Sequence, residues 1–90
     1  MKISLLIKVQ GRVQGVAFRA HTQKQAKQLG VMGYVKNLAS GEVEIVAQGN
    51  HIEVQQLVTW CRQGPMLAEV KQVLVNDYNE PDIYQDFEIL

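Results

Sequence analysis

The residues best suited to chemistry in this chain lie in the stretch Gln14-Gly15-Val16-Ala17-Phe18-Arg19. It stands between an apolar run and a helix-forming run, a junction that leaves several backbone N–H groups without intrahelical partners. The helix dipole adds partial positive charge there, so the junction offers an anion site. Gly15 permits a backbone turn that other residues resist, which lets consecutive N–H groups point into one concavity. Arg19 supplies a charged planar fork that matches phosphate oxygens. A plainer interpretation competes, with Gly15 as a turn glycine and Arg19 as a solvated residue at a helix start. Spacing alone leaves both open.

Other chemistries have weaker footing. A phosphocysteine mechanism needs a thiolate inside the anion loop, and Cys61 falls at a core-facing position of a second helical run. Metal sites need several converging ligands, whereas His21 and His51 are isolated in sequence. No metal and no cofactor are expected. His21 could border the anion site, but a packed or partly exposed role suits it better. Ser4 and Ser40 lack triad partners in view. The glycines do not lead into the Gly-Lys-Ser/Thr of a nucleotide-triphosphate loop. Lys24 and Lys27 read as a solvated helix face, and Trp60 and Tyr34 as packing residues. Thr22 is a candidate for a supporting hydrogen bond behind Arg19.

The elements that must position this loop can be read along the chain. Ser4 to Gln10 is rich in Ile, Leu and Val and predicts a buried strand, with Gly11 to Gly15 a loop. Arg19 to Leu29 predicts a helix with Phe18, Thr22, Ala26 and Leu29 on an inward stripe, stopped by Gly30. Tyr34 to Leu38 predicts a second strand, turning through Ala39-Ser40-Gly41 into a third at Val43 to Gln48. Asn50 followed by Glu53 resembles a capping box, and Val54, Leu57, Val58 and Cys61 recur at helical spacing behind it. Gly64-Pro65 ends that helix. Val70 to Val75 predicts a fourth strand, with Val70 and the Val73-Leu74-Val75 run in the core. Asn76 to Asp82 reads as a surface loop, and Phe87 to Leu90 as a short edge strand.

The order βαββαβ predicts an α+β ferredoxin-like sandwich, with two helices on one face of a four- to five-stranded, largely antiparallel sheet. Right-handed crossovers put the third strand between the first and second. The first two strands then end on the same side of the sheet, about 10 Å apart. Side chains from both can meet on a small anion.

Two stretches carry a family resemblance. Val9-Gln10-Gly11-Arg12-Val13-Gln14-Gly15-Val16-Ala17-Phe18-Arg19 resembles the first signature of the acylphosphatases. Gly33-Tyr34-Val35-Lys36-Asn37, with Gly41, Val43 and Gly49 behind it, resembles the second. The resemblance implies a metal-independent hydrolase of acyl phosphates. It makes Arg19 and the backbone amides of Gly15, Val16, Ala17, Phe18 and Arg19 the phosphate cradle, and Asn37 the residue that orients the attacking water. Gln14 and Thr22 would support them from behind. Ala17 occupies a variable position, often glycine in bacterial members, and asks only that the loop there not need a glycine-only conformation.

Composition bounds the rest. Ninety residues predict one domain over 1–90, with a thin core that buries only about 60–65% of the unfolded surface. Nine Lys and Arg balance nine Asp and Glu, so no nucleic-acid partner is expected. The first and third strands hold no aromatic residue, which argues against an RNA-binding sheet. One cysteine suggests a reducing compartment, and the short apolar run Ile3 to Ile7 cannot span a bilayer. The expectation is a cytoplasmic monomer with no membrane partner, acting on a small-molecule acyl phosphate. The alternative is a non-catalytic phosphate- or anion-binding module of the same fold.

Overall fold

A computed structural model describes residues 1–90. The elements are β1 (Lys2–Arg12), α1 (Phe18–Leu29), β2 (Met32–Asn37), β3 (Val43–Asn50), α2 (His51–Gln63), β4 (Glu69–Asp77) and β5 (Phe87–Ile89). They form one five-stranded sheet in the order β4-β1-β3-β2-β5. The third strand lies between the first and second, as the crossover rule requires. All pairings are antiparallel except β2 with β5, which is parallel. The last segment is therefore a true fifth strand.

Alternation sorts the sheet's two faces. Leu5, Ile7 and Val9 on β1 and Val43, Ile45 and Ala47 on β3 are buried in one cluster with Val54, Leu57, Val58 and Cys61 of α2 and Phe18 and Ala26 of α1. Fully burying each of the Leu, Ile, Val and Phe side chains among them is worth roughly 1.5–3 kcal/mol. Both helices lie on this face. Leu29, half-buried, completes the stripe of α1 from the edge of the cluster. Trp60 packs on Phe18 with ring centroids 5.5 Å apart, and Tyr34 packs edge-on against Tyr84 at 5.6 Å. Both are packing residues.

Several boundaries differ from the sequence prediction, each for a local reason. β1 continues through Gly11 and Arg12 because these pair with Val70 and Glu69 of β4 after a register shift at Gln10/Gly11. A bulge of this kind leaves no mark in hydrophobic alternation. β2 starts at Met32 and stops before Leu38, whose N–H instead bonds Glu42 O at 2.8 Å to begin the hairpin turn. Gly33 on β2 has φ +141°, and a Cβ there would stand 1.8 Å from Val46 O, so only glycine fits.

The capping box at Asn50 is not made. Asn50 precedes α2 in an extended conformation without a side-chain cap bond, and the His51 N–H bonds Met1 O at 2.9 Å. The Val73-Leu74-Val75 run does not feed the core as a block. Val73 is half-buried, while Leu74 and Val75 are 38% and 36% exposed. β4 is an outer strand, and Leu74, paired with Lys8, points away from the helices. The expected loop also begins later, since β4 runs through Asp77.

Candidate active site

The register fixes where the site can form. Val9 near the end of β1 pairs with Val43, and Val43 pairs in turn with Asn37, the last residue of β2. Asn37 therefore sits level with Val9, three residues before the end of β1, and two strands across, about 10 Å away. Period-two alternation puts its side chain on the face that carries Val35, the helix face. The strand-to-helix loop crosses the same end of the sheet.

A cleft of about 210 Å³ opens there, lined by Val13, Gly15, Ala17, Phe18, Arg19, Ala20, Asn37 and Ile89. One water takes about 30 Å³ of the liquid, so a phosphoryl group and a water fit together. Arg19 and Asn37, more than a dozen residues apart in sequence, share this cleft. The backbone N–H groups of Gly15 to Arg19 donate to no acceptor within the protein, because the first bond of the helix runs from the His21 N–H to Ala17 O at 3.1 Å. Val16 and Phe18 turn their side chains into the core, at 8% and 1% exposure, so only their main chain can face a ligand.

The loop's conformation is unusual at two positions. Gly15 has φ +75°, a region that costs glycine little. Ala17 has φ +61° and ψ +27°, and it is the one non-glycine residue with positive φ. This is the left-handed region, which glycine favours but which an L-residue can enter, so the loop at Ala17 does not need a glycine-only conformation. The alanine bears a strain of roughly 1–2 kcal/mol.

The supporting side chains divide. Gln14 Nε2 donates to Leu38 O at 2.8 Å and to Glu42 O at 2.9 Å, tying the loop to the β2–β3 hairpin beside Asn37. Thr22 Oγ1 instead donates to Phe18 O at 2.8 Å, one turn back in α1. Thr22 is buried on the core face and braces the first helical turn. His21 is exposed and is not among the cleft residues. Cys61 is buried, and that burial pushes its thiol up to about 12, so it stays protonated and inert. No three His, Cys, Asp or Glu side chains cluster as a metal would require.

Two contributors are not singled out as site residues by the sequence, although it predicts their strand at Phe87 to Leu90. Arg19 Nη1 donates to the main-chain oxygen of Leu90 at 3.0 Å, and Leu90 is held by its own N–H on Val35 O at 2.9 Å. Ile89 lines the cleft from β5. A main-chain acceptor has no residue-type signature, and the parallel docking of β5 on β2 is a long-range pairing.

A second, larger cleft of about 570 Å³ lies toward Lys2, Met32, Asn50 and Tyr84. It contains neither arginine nor the loop. The polar ends of Gln48 in its wall are already committed to Asp82 O and the Tyr84 N–H.

Comparison with known proteins agrees with this geometry. The sequence profile of the acylphosphatase family matches residues 5–89. An acylphosphatase of Geobacter sulfurreducens is 44% identical over 89 residues, covering 99% of this chain and 98% of its own. The structure of an acylphosphatase from Coxiella burnetii superposes with a TM-score of 0.92 at 37% identity, covering 99% of this chain and 93% of that one. A crystal structure of the acylphosphatase from Bacillus subtilis gives 0.92 at 33% identity, covering 100% and 99%.

Proposed function

This chain belongs to the acylphosphatase family and is an acyl phosphate hydrolase, and on that premise we propose that Arg19 and the Gly15–Arg19 amides hold the phosphoryl group while Asn37 orients the attacking water. The observation that supports the reading is the shared cleft, lined by Arg19, by Asn37 and by Gly15, Ala17 and Phe18, whose amides have no acceptor within the protein; Val16 is not among its lining residues.

The chemistry suits so sparse a site. A carboxylate is a good leaving group, so the phosphoryl–oxygen bond can break without strong protonation. Catalysis then rests on positioning and on stabilising charge at the phosphoryl oxygens. Water forms the new bond to phosphorus as the bond to the acyl oxygen breaks, and the carboxylate leaves with that electron pair. Neutral Asn37 is too weak a base to take the water's proton. A phosphoryl oxygen of the substrate accepts it, which yields orthophosphate. Gln14 keeps the loop and the hairpin in register while this happens, and Thr22 stiffens the helix start. No step calls on a metal ion.

On the same reading residues 1–90 work as one domain, as a monomer, in the cytoplasm. One continuous sheet spans the chain, its lone cysteine is buried and free, and no helix is long and apolar enough to cross a membrane. The test is turnover of benzoyl phosphate in EDTA beside an ordinary phosphate monoester. Chelator-insensitive hydrolysis of benzoyl phosphate, with the monoester spared, is expected. Loss of activity in EDTA, or equal activity on both, would overturn it.

A further inference from the structure

The cleft has an apolar side as well as a polar one. Val13 and Phe18 line it but are each 1% exposed, so they support its floor from within the core. Ala17 and Ala20 present one methyl group each. Ile89 is different, a large aliphatic side chain left 41% exposed at the edge of the same cleft.

Its position is held firmly. Ile89 pairs with Val35 of β2, and the next residue is fixed on both sides, by its N–H on Val35 O at 2.9 Å and by Arg19 Nη1 on its own oxygen at 3.0 Å. The residue that grips phosphate is thus bonded to the neighbour of this exposed isoleucine.

In an acyl phosphate the acyl substituent begins three bonds from phosphorus, so it must lie just outside the cradle. We propose that Ile89 is the surface on which that substituent rests, and that it biases the enzyme toward acyl phosphates with apolar acyl groups. The inference rests on the phosphate reading of Arg19 and the loop. Contact with an apolar wall is worth about tenfold or more in an enclosed pocket. In this open cleft the effect is set at about five- to tenfold.

The experiment compares kcat/KM for benzoyl phosphate and acetyl phosphate in wild type, Ile89→Ser and Ile89→Phe, with competitive inhibition by inorganic phosphate measured in each. Ile89→Ser is expected to lose about five- to tenfold on benzoyl phosphate and less than about twofold on acetyl phosphate, with phosphate inhibition unchanged. Ile89→Phe is expected to raise the benzoyl-to-acetyl ratio at least about twofold, and it decides the matter if the serine variant does not fold. A ratio equal to wild type in both variants, whether the two rates stay or fall together, overturns the role of Ile89. Wild-type protein that hydrolyses neither compound overturns the hydrolytic reading, and wild-type protein that also fails to bind inorganic phosphate in calorimetry overturns the phosphate reading of Arg19 and the loop, each a separate result.

Discussion

Arg19 Nη1 donates to the main-chain oxygen of Leu90 at 3.0 Å, linking the start of α1 to the residue after β5 across 71 positions of sequence. A guanidinium has five N–H donors in a rigid fork. Spending one on Leu90 fixes the plane of the group and leaves others to face an anion. Lysine cannot do both, because its ammonium is a point charge on a flexible stem. Arg19→Gln is expected to lower kcat/KM for benzoyl phosphate by about a hundred- to a thousandfold. Arg19→Lys should recover little of that loss. Either variant within about tenfold of wild type would remove Arg19 from the cradle.

Asn37 differs from Arg19 in what it touches. On the proposed mechanism it orients water and leaves the phosphate to the loop. Asn37→Ala should therefore cut kcat by about a hundredfold or more. Inhibition by inorganic phosphate should stay near its wild-type strength. A variant that loses turnover and phosphate binding together would show that Asn37 serves the cradle.

Gln14 joins those two halves. Its amide holds Leu38 O and Glu42 O at 2.8 and 2.9 Å, one residue beyond Asn37 and at the far side of the turn. Gln14→Leu removes both bonds, each worth about 0.5–1.5 kcal/mol net. The expected result is a stability loss of about 1–2 kcal/mol in chemical denaturation and a fall in kcat of about tenfold, since small misplacements of reacting groups are costly. Wild-type kcat in a measurably destabilised Gln14→Leu would limit the residue to a structural role.

How much of this was legible in the sequence depends on the kind of signal involved. The strand order and the level placement of Asn37 with the loop follow from alternation and crossover handedness, both properties of residue type and chain direction. Arg19 and Asn37 are side chains with a chemical identity, so motif and topology could each reach them. Leu90 acts through its main chain, and Ile89 through an edge pairing set by the path of residues 79–86. The acceptor role of Leu90 leaves no local trace, and for Ile89 the strand at Phe87 to Leu90 is readable but its parallel partner β2 is not. The capping box is not made: the Asn50 side chain takes no helix N–H, and the one N–H of this turn that finds a tertiary acceptor, that of His51 on Met1 O, is a donor the local rule does not use. Leu74 and Val75 are apolar enough for a core, but β4 has a neighbour on one side only.

Ala17 marks where the loop's shape conflicts with its sequence. At φ +61° its Cβ is strained by roughly 1–2 kcal/mol, whereas glycine in its place would cost about 0.5–1 kcal/mol in unfolded-chain entropy. Ala17→Gly should stabilise the protein by about 0.5–1 kcal/mol in chemical denaturation. Ala17→Val, branched at the strained carbon, should destabilise it. A destabilised glycine variant would mean that the left-handed turn is not what limits this loop.

Glu42 sits where the hairpin, the loop and β1 meet. Its carboxylate accepts Gln10 Nε2 at 2.8 Å and Ser40 Oγ at 2.9 Å, while its carbonyl takes the Leu38 N–H and Gln14. The Gln10 bond first, then the Ser40 bond, favours the ionised form, and nearby Lys8 adds to them, so the carboxyl lies below its ordinary value. A group depressed in the folded state contributes stability that is complete above its unfolded pKa, about 4.3 for glutamate, and that is lost as pH falls through the lower folded value. The advantage of wild type over Glu42→Gln in denaturation midpoint should therefore be largest near neutral pH and shrink on acidification below about pH 4. A stability difference unchanged between about pH 7 and pH 3 would show that the carboxylate's bonds to Gln10 and Ser40 do not hold the hairpin.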